Sequence, residues 1–232
     1  MSTIAHNLQA VDAHIVAAAN AAGRRPQDVH LLAVSKTFGA NAVREAVAAG
    51  QSAFGENYLQ EALDKIAAVG GALEWHFIGP IQSNKTRPIA SHFSWVHTVE
   101  RLKIAQRLSE QRDPALGPLN ICLQVNISGE ASKSGVAPPE LAALAREVAA
   151  LPHLRLRGLM AIPEPAQGFE QQRIAFRALR ELYDGLRAQG FALDTLSMGM
   201  SADLEAAVAE GATIVRVGTA IFGTRTYPKE QA

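Results

Sequence analysis

The chain has 232 residues, 48% of them hydrophobic, with 22 basic and 22 acidic side chains and a formal net charge of zero. Length and apolar content suffice for a sizeable core, whereas zero net charge with both signs interspersed gives no electrostatic basis for binding nucleic acid or an anionic membrane. The single cysteine rules out an intrachain disulfide and fits a reducing compartment.

The opening segment, MSTIAHNLQAVDAHIVAAANAAG, repeats Ile4, Leu8, Val11 and Ile15 at helical spacing. It lacks the basic start and compact apolar stretch of a signal peptide. No run reaches the roughly 18 apolar residues of a membrane span. The expectation is a soluble, cytoplasmic protein that starts with an amphipathic helical region over residues 1–28. A β-rich run, HLLAVSK, follows, and seven more succeed it: SAFGEN, EWHFIGP, SWVHTV, LNICLQVNI, LRLRGLMAI, DTLSMG and TIVRVGTAIFG. Between them lie alanine- and leucine-rich segments with helical spacing, such as 41–49 and 139–150. Cys122, mid-run among apolar neighbours, reads as a small packing residue rather than a nucleophile.

Strands alternating with helices imply a parallel sheet. Eight such units in this length predict an α/β fold: a single-domain (β/α)8 TIM barrel over 1–232, with an extra N-terminal helix and a tail at 226–232. An open doubly wound sheet would want a glycine-rich dinucleotide fingerprint after the first strand, and SKTFGANA does not supply one. No proline- or serine-rich linker divides the chain, and RDPALGP and PEPAQG read as loops.

Reacting groups in such barrels sit at the C-terminal ends of the strands. The residues that fall there are Lys36, Glu56, Asn57, His76, Asn126 and the loops SMGMS and RVGTAIFG. Phosphate sites commonly lie after strands seven and eight. Ser201 stands where a helix N-cap is expected, and Gly218 and Thr219 offer close backbone approach and a hydroxyl donor. An ordinary serine cap and a glycine that merely relieves crowding would look the same.

Lys36 has three chemical options: a solvated ion-pair partner, a phosphate-binding point charge, or an amine that condenses with an aldehyde. The last fits a cofactor carrying both an aldehyde and a phosphate, pyridoxal 5′-phosphate. Arg216, two residues before Gly218 and on the same strand face, can point at the pyridine ring. With a pKa above about 12 it would not readily protonate the ring nitrogen. The alternative is an arginine paired with Glu56 or Glu205.

LLAVSKT, FGENYLQE, WHFIGPIQSNK, SKSG, RGLMAI and LSMGMSADLEAAVAEGATIVRVGTAIFG closely resemble the pyridoxal phosphate homeostasis protein family, from about Val29 to Arg225. The resemblance implies a fold-type III barrel like the N-terminal domain of alanine racemase, binding pyridoxal phosphate at its mouth as an aldimine of Lys36. It carries the phosphate contacts to Ser201, Gly218 and Thr219, the pyridine-facing role to Arg216, and pocket-lining roles to Asn57, His76 and Met198. A packed core histidine is the competing reading of His76, and His92 and His97 read as surface or packing residues without zinc-site spacing. Many relatives have a second lysine where this chain has Phe38; Lys133 and Lys229 match other family lysines that would take over its role.

The implied function is intracellular buffering and delivery of pyridoxal phosphate, with pyridoxal-dependent apoenzymes as partners, and the expected state is a monomer. The alternative is an enzyme of the same fold, a racemase or decarboxylase. A racemase needs a second proton-transfer group, which alanine racemase draws from a further domain, and Tyr58, Tyr183 and Tyr227 make no good substitute.

Overall fold

Strands of a parallel barrel are covered on both faces, so they read as near-continuous apolar runs. In the computed structural model, which describes residues 2–129 and 134–224, those runs form a closed parallel barrel in chain order. Its strands are β1 (His30–Val34), β2 (Ala53–Glu56), β3 (Glu74–Phe77), β4 (Trp95–Val99), β5 (Leu119–Gln124), β6 (Leu154–Met160), β7 (Thr195–Ser197) and β8 (Ile214–Val217). Pairing of β8 with β1 closes it and sets Leu32 level with Arg216. Lys133, Tyr227 and Lys229 lie outside the described residues.

The outer layer is helical. Strands one to seven are followed by α2 (Ala40–Ala48), α3 (Leu59–Val69), α4 (Thr86–His92), α5 (Leu102–Gln111), α6 (Leu141–Ala149), α7 (Phe169–Ala188) and α8 (Leu204–Ala209). After β8 there is only one helical turn, α9 (Thr219–Phe222). The leading helix, α1 (Thr3–Ala21), fills the resulting gap by packing against α2, α8 and α9. Its predicted apolar face is the buried one, with Leu8, Val11 and Ile15 in the core. Asn7 Nδ2 donates to Ile221 O at 2.9 Å, and Arg24 Nη1 donates to Val208 O at 2.8 Å.

One expectation changes. The last β-rich run does not continue through Phe222: the backbone turns at Gly218 (φ −120°, ψ −71°) and winds into α9. Short apolar runs suit a buried strand and a buried helical turn equally, so periodicity does not separate them. Of the two readings of His97, surface or packing, the packed one holds: it is fully buried in the barrel and hydrogen-bonded on both ring nitrogens.

The main core lies between sheet and helices. The barrel interior holds two smaller apolar groups, Leu32 with Val34, Ile78 and Ile214, and Trp95 with Cys122 and Met160. Burial pushes the Cys122 thiol up to about 12, which leaves it protonated and inert, in keeping with a packing role. The same interior also contains His76, His97, Ser197 and Arg216, all buried.

Burial holds both histidines neutral: it lowers His76 against the opposing pull of Glu74, and it lowers His97 further, helped by His76 and Arg216. Below the ordinary histidine value of 6.5 the unfolded chain takes up protons that the native barrel does not. Stability is therefore expected to fall as pH drops below 6.5, by up to about 1.4 kcal/mol per pH unit for each histidine. Urea midpoints measured between pH 7 and pH 5.5 should show this slope in the wild type and a shallower one in His97→Gln. Equal slopes would contradict it.

Candidate functional site

Strand pleating sets the site. Leu32 and Val34 of β1 face into the barrel, while Ala33 faces the helices. Lys36 continues the inward set two residues beyond the strand end and is half-buried. On β8, Ile214 and Arg216 face inward while Val215 and Val217 face the helices. Closure of the barrel brings Gly218 beside Val34, where a Cβ would meet Val34 O at 3.0 Å and Val34 Cβ at 3.3 Å. The seam between the first and last strands therefore itself favours glycine there, independently of any ligand.

These side chains open on a cavity of about 250 Å³ at the C-terminal mouth. Lys36, Asn57, Ser201, Arg216, Gly218 and Thr219 all line it, together with Phe38, Ile78, Ile162 and Met200. The lining includes two cationic side chains and no carboxylate, so the cavity favours an anion.

Among the described residues no carboxylate comes within ion-pair distance of Arg216, though the charge of Asp203 acts on it. Its Nη1 donates to Ser197 Oγ at 2.8 Å and its Nη2 to Ala161 O at 2.9 Å. Neither carboxylate considered from sequence reaches it: Glu56 is bound by Ser35 and Lys65, and Glu205 by His14. Burial lowers Arg216 to about 10, so it stays charged at neutral pH. Beside it, Asn57 Oδ1 is buried with no hydrogen-bond partner among the described residues. A buried charge balanced only through space by Asp203 and an unsatisfied amide oxygen both call for a polar ligand. Lys36, Arg216, Ser201 and Thr219 can donate to the phosphate, phenolic oxygen and ring nitrogen of pyridoxal phosphate, whereas Asn57 Oδ1 calls for a donor.

The turn that presents Lys36 is clamped from outside the barrel. Lys65 of α3 donates to Ser35 O (2.7 Å), Glu56 Oε1 (2.6 Å) and Glu61 Oε1 (2.5 Å), which commits all three of its N–H bonds. Ser35 Oγ donates to Glu56 Oε1 at 2.5 Å, and Glu61 Oε1 accepts the Thr37 N–H at 2.6 Å. Burial pushes the Glu56 carboxyl up, with Lys65 and Ser35 pulling the other way. Thr37 has φ 69°, the one non-glycine residue in the left-handed region among those described. Strain of this kind persists where surrounding contacts over-determine it. Both neighbours of Lys36 are thus fixed, while Lys36 itself faces the cavity.

Two residues expected at the cavity are elsewhere. His76 is inside the barrel, bonded to Glu74 and His97, and Met198 is fully buried in the core; Met200 forms the wall instead. Ser201 is not the N-cap of α8. Asp203 occupies that position, and its Oδ1 accepts the Met200 N–H at 2.6 Å. Phe38 stacks on Phe222 at 5.2 Å, tying the Lys36 turn to α9. The clamp of Glu56, Glu61 and Lys65 escaped the sequence reading. The i, i+4 spacing of Glu61 and Lys65 signals an ion pair, but nothing local marks Lys65 as buried.

The chain matches the family described as alanine racemase, N-terminal domain, over residues 3–226. It is 67% identical over 228 residues to the pyridoxal phosphate homeostasis protein of Pseudomonas aeruginosa, covering 98% of each chain. To the protein of the same name from Escherichia coli K12 it is 54% identical over 235 residues, covering 99% of this chain and all of the relative. Among solved structures it resembles PipY of Synechococcus elongatus with pyridoxal phosphate bound, at 38% identity and a TM-score of 0.83, over 95% of this chain and 100% of that one. Alanine racemase of Corynebacterium glutamicum shares the fold, at 21% identity and a TM-score of 0.68, with this chain spanning 59% of its length. A barrel closed this way, with its cationic cavity and matches over nearly the full length of both partners, belongs to the pyridoxal phosphate homeostasis protein family.

Proposed function

We propose that this chain binds pyridoxal 5′-phosphate at the barrel mouth as an imine of Lys36 and serves to hold and release it within the cell. The observation that carries the reading is the convergence of Lys36, Arg216, Asn57, Ser201 and Thr219 on one cavity free of carboxylates. Condensation joins Lys36 Nζ to the aldehyde carbon, and the aldehyde oxygen leaves as water. When bound, the cofactor supplies a reactive aldehyde and a ring that withdraws electrons. The hydroxyls of Ser201 and Thr219 stand at the same cavity wall to donate to its phosphate. Arg216 donates hydrogen bonds and gives up its proton reluctantly, which leaves the ring nitrogen unprotonated and the ring a weak electron sink.

Holding rather than turnover is favoured by the poverty of acids and bases. Lys36 and Arg216 are the titratable side chains among the residues lining the cavity. Tyr58 is exposed at the start of α3, the Tyr183 hydroxyl donates to Leu193 O at 3.0 Å, and neither lines the cavity. The mouth also widens into a second hollow of about 540 Å³ that shares Asn57, Ile78, Ile162 and Met200, consistent with exchange of ligand.

Borohydride reduction of the loaded protein followed by peptide mapping should place the cofactor on Lys36. Lys36→Ala should lose the absorbance band of the bound aldehyde with stability changed by no more than about 1 kcal/mol. A label on another lysine would overturn the assignment. Ser201→Ala and Thr219→Val should each weaken retention about tenfold, the worth of one hydrogen bond to a charged group, by equilibrium dialysis; unchanged retention in both puts the phosphate elsewhere. Incubation with single L-amino acids in deuterated water should give no α-proton exchange at catalytic turnover. Rapid exchange would instead favour an enzyme of the alanine racemase type.

A further inference from the structure

The polar side chains inside the barrel form one unbroken line. Arg216 Nη1 donates to Ser197 Oγ at 2.8 Å. Ser197 Oγ lies 2.8 Å from His97 Nδ1, His97 Nε2 lies 2.9 Å from His76 Nδ1, and His76 Nε2 lies 2.8 Å from Glu74 Oε1. The line starts at the cavity beside Lys36 and crosses β8, β7, β4 and β3. It ends in a different hollow of about 560 Å³, lined by Glu74, His76, Trp95, Arg157 and Asp194 at the opposite mouth.

The two ends determine everything between them. A guanidinium only donates and a carboxylate only accepts. Glu74 can only accept, so with both rings neutral each histidine donates from Nε2 and accepts at Nδ1, and the Ser197 oxygen, which accepts from Arg216, points its proton at His97 Nδ1. That ring then carries its proton on Nε2 and gives it to His76 Nδ1. His76 in turn carries its proton on Nε2 and gives it to Glu74. Every link is satisfied, and no other arrangement of two neutral rings satisfies them all. Trp95 stacks on His76 at 5.3 Å and Arg157 lies over Trp95 at 4.6 Å, so the far end is braced as well.

We propose that Ser197, His97, His76 and Glu74 are positioning residues for Arg216, forming a one-way hydrogen-bond chain through the barrel that fixes how its guanidinium meets the ligand. This rests on the reading that Arg216 faces the cofactor ring. Because the chain is ordered, a change at Glu74 reaches Arg216 without any contact between them.

The test begins on protein free of cofactor, where nitrogen-15 spectra report imidazole tautomers. Both His76 and His97 should be neutral with the proton on Nε2. A proton on Nδ1 of either ring overturns the chain. Glu74 is half-exposed, so Glu74→Ala should fold; it should move the Arg216 guanidinium resonances, and should not move them further in a Ser197→Ala background. Unmoved resonances in Glu74→Ala overturn the coupling. In loaded protein, Ser197→Ala should weaken retention of pyridoxal phosphate about tenfold, and Ser197→Thr, which keeps the hydroxyl, should restore it to within about twofold. The nitrogen-15 resonance of ring-labelled pyridoxal phosphate should shift in Glu74→Ala. If the tautomers and guanidinium respond while the ring does not, the chain stands and Arg216 is not the ring's partner.

Discussion

Closure of the sheet between its first and last strands is the constraint on which the site depends. Pairing of β1 with β8 sets Leu32 against Arg216 and Ala33 against Val217. The alternation of side chains along each strand then turns Lys36 and Arg216 toward the same interior. A slip of one residue in that register would turn either the lysine or the arginine, whichever strand moved, toward the helices. Gly218 guards the register, because the Val34 carbonyl would crowd any larger residue there.

Around that seam the protein separates two lysines into different chemistry. Lys65 is buried, and its three N–H bonds are committed to Ser35, Glu56 and Glu61. It works as structure, bracing the strained turn. Lys36, one turn away, opens on a cavity with no acidic lining. Removing one partner from a buried ion cluster strands the remaining charge, so the clamp and the site it supports are bound together energetically.

The barrel was readable from sequence because its signals are local and repeated: eight apolar runs, seven alternating helical segments, and an amphipathic leading segment. Lys36, Asn57, Ser201, Arg216, Gly218 and Thr219 were readable for a related reason, since strand ends in a barrel converge by construction. What escaped was long-range polar pairing. His76 and His97 are separated by 21 residues and His97 and Ser197 by 100, with no spacing rule to announce that they touch. The end of β8 was misjudged because Ala220, Ile221 and Phe222 are equally apolar in a strand or a helical turn. Met198 and Met200 differ by a pleat and a glycine with φ 92°, Gly199, which reverses the wall they would otherwise share.

The leading helix stands where a full helix after β8 would otherwise lie, and Asn7 bonds to Ile221, 214 positions further along the chain. Contacts of that span form late, since loop closure must precede any reward. During synthesis the outer ring therefore stays open until almost all of the chain has emerged. The mouth bearing Lys36 is framed by the same final segment, so its cavity takes shape only at the last stage of folding.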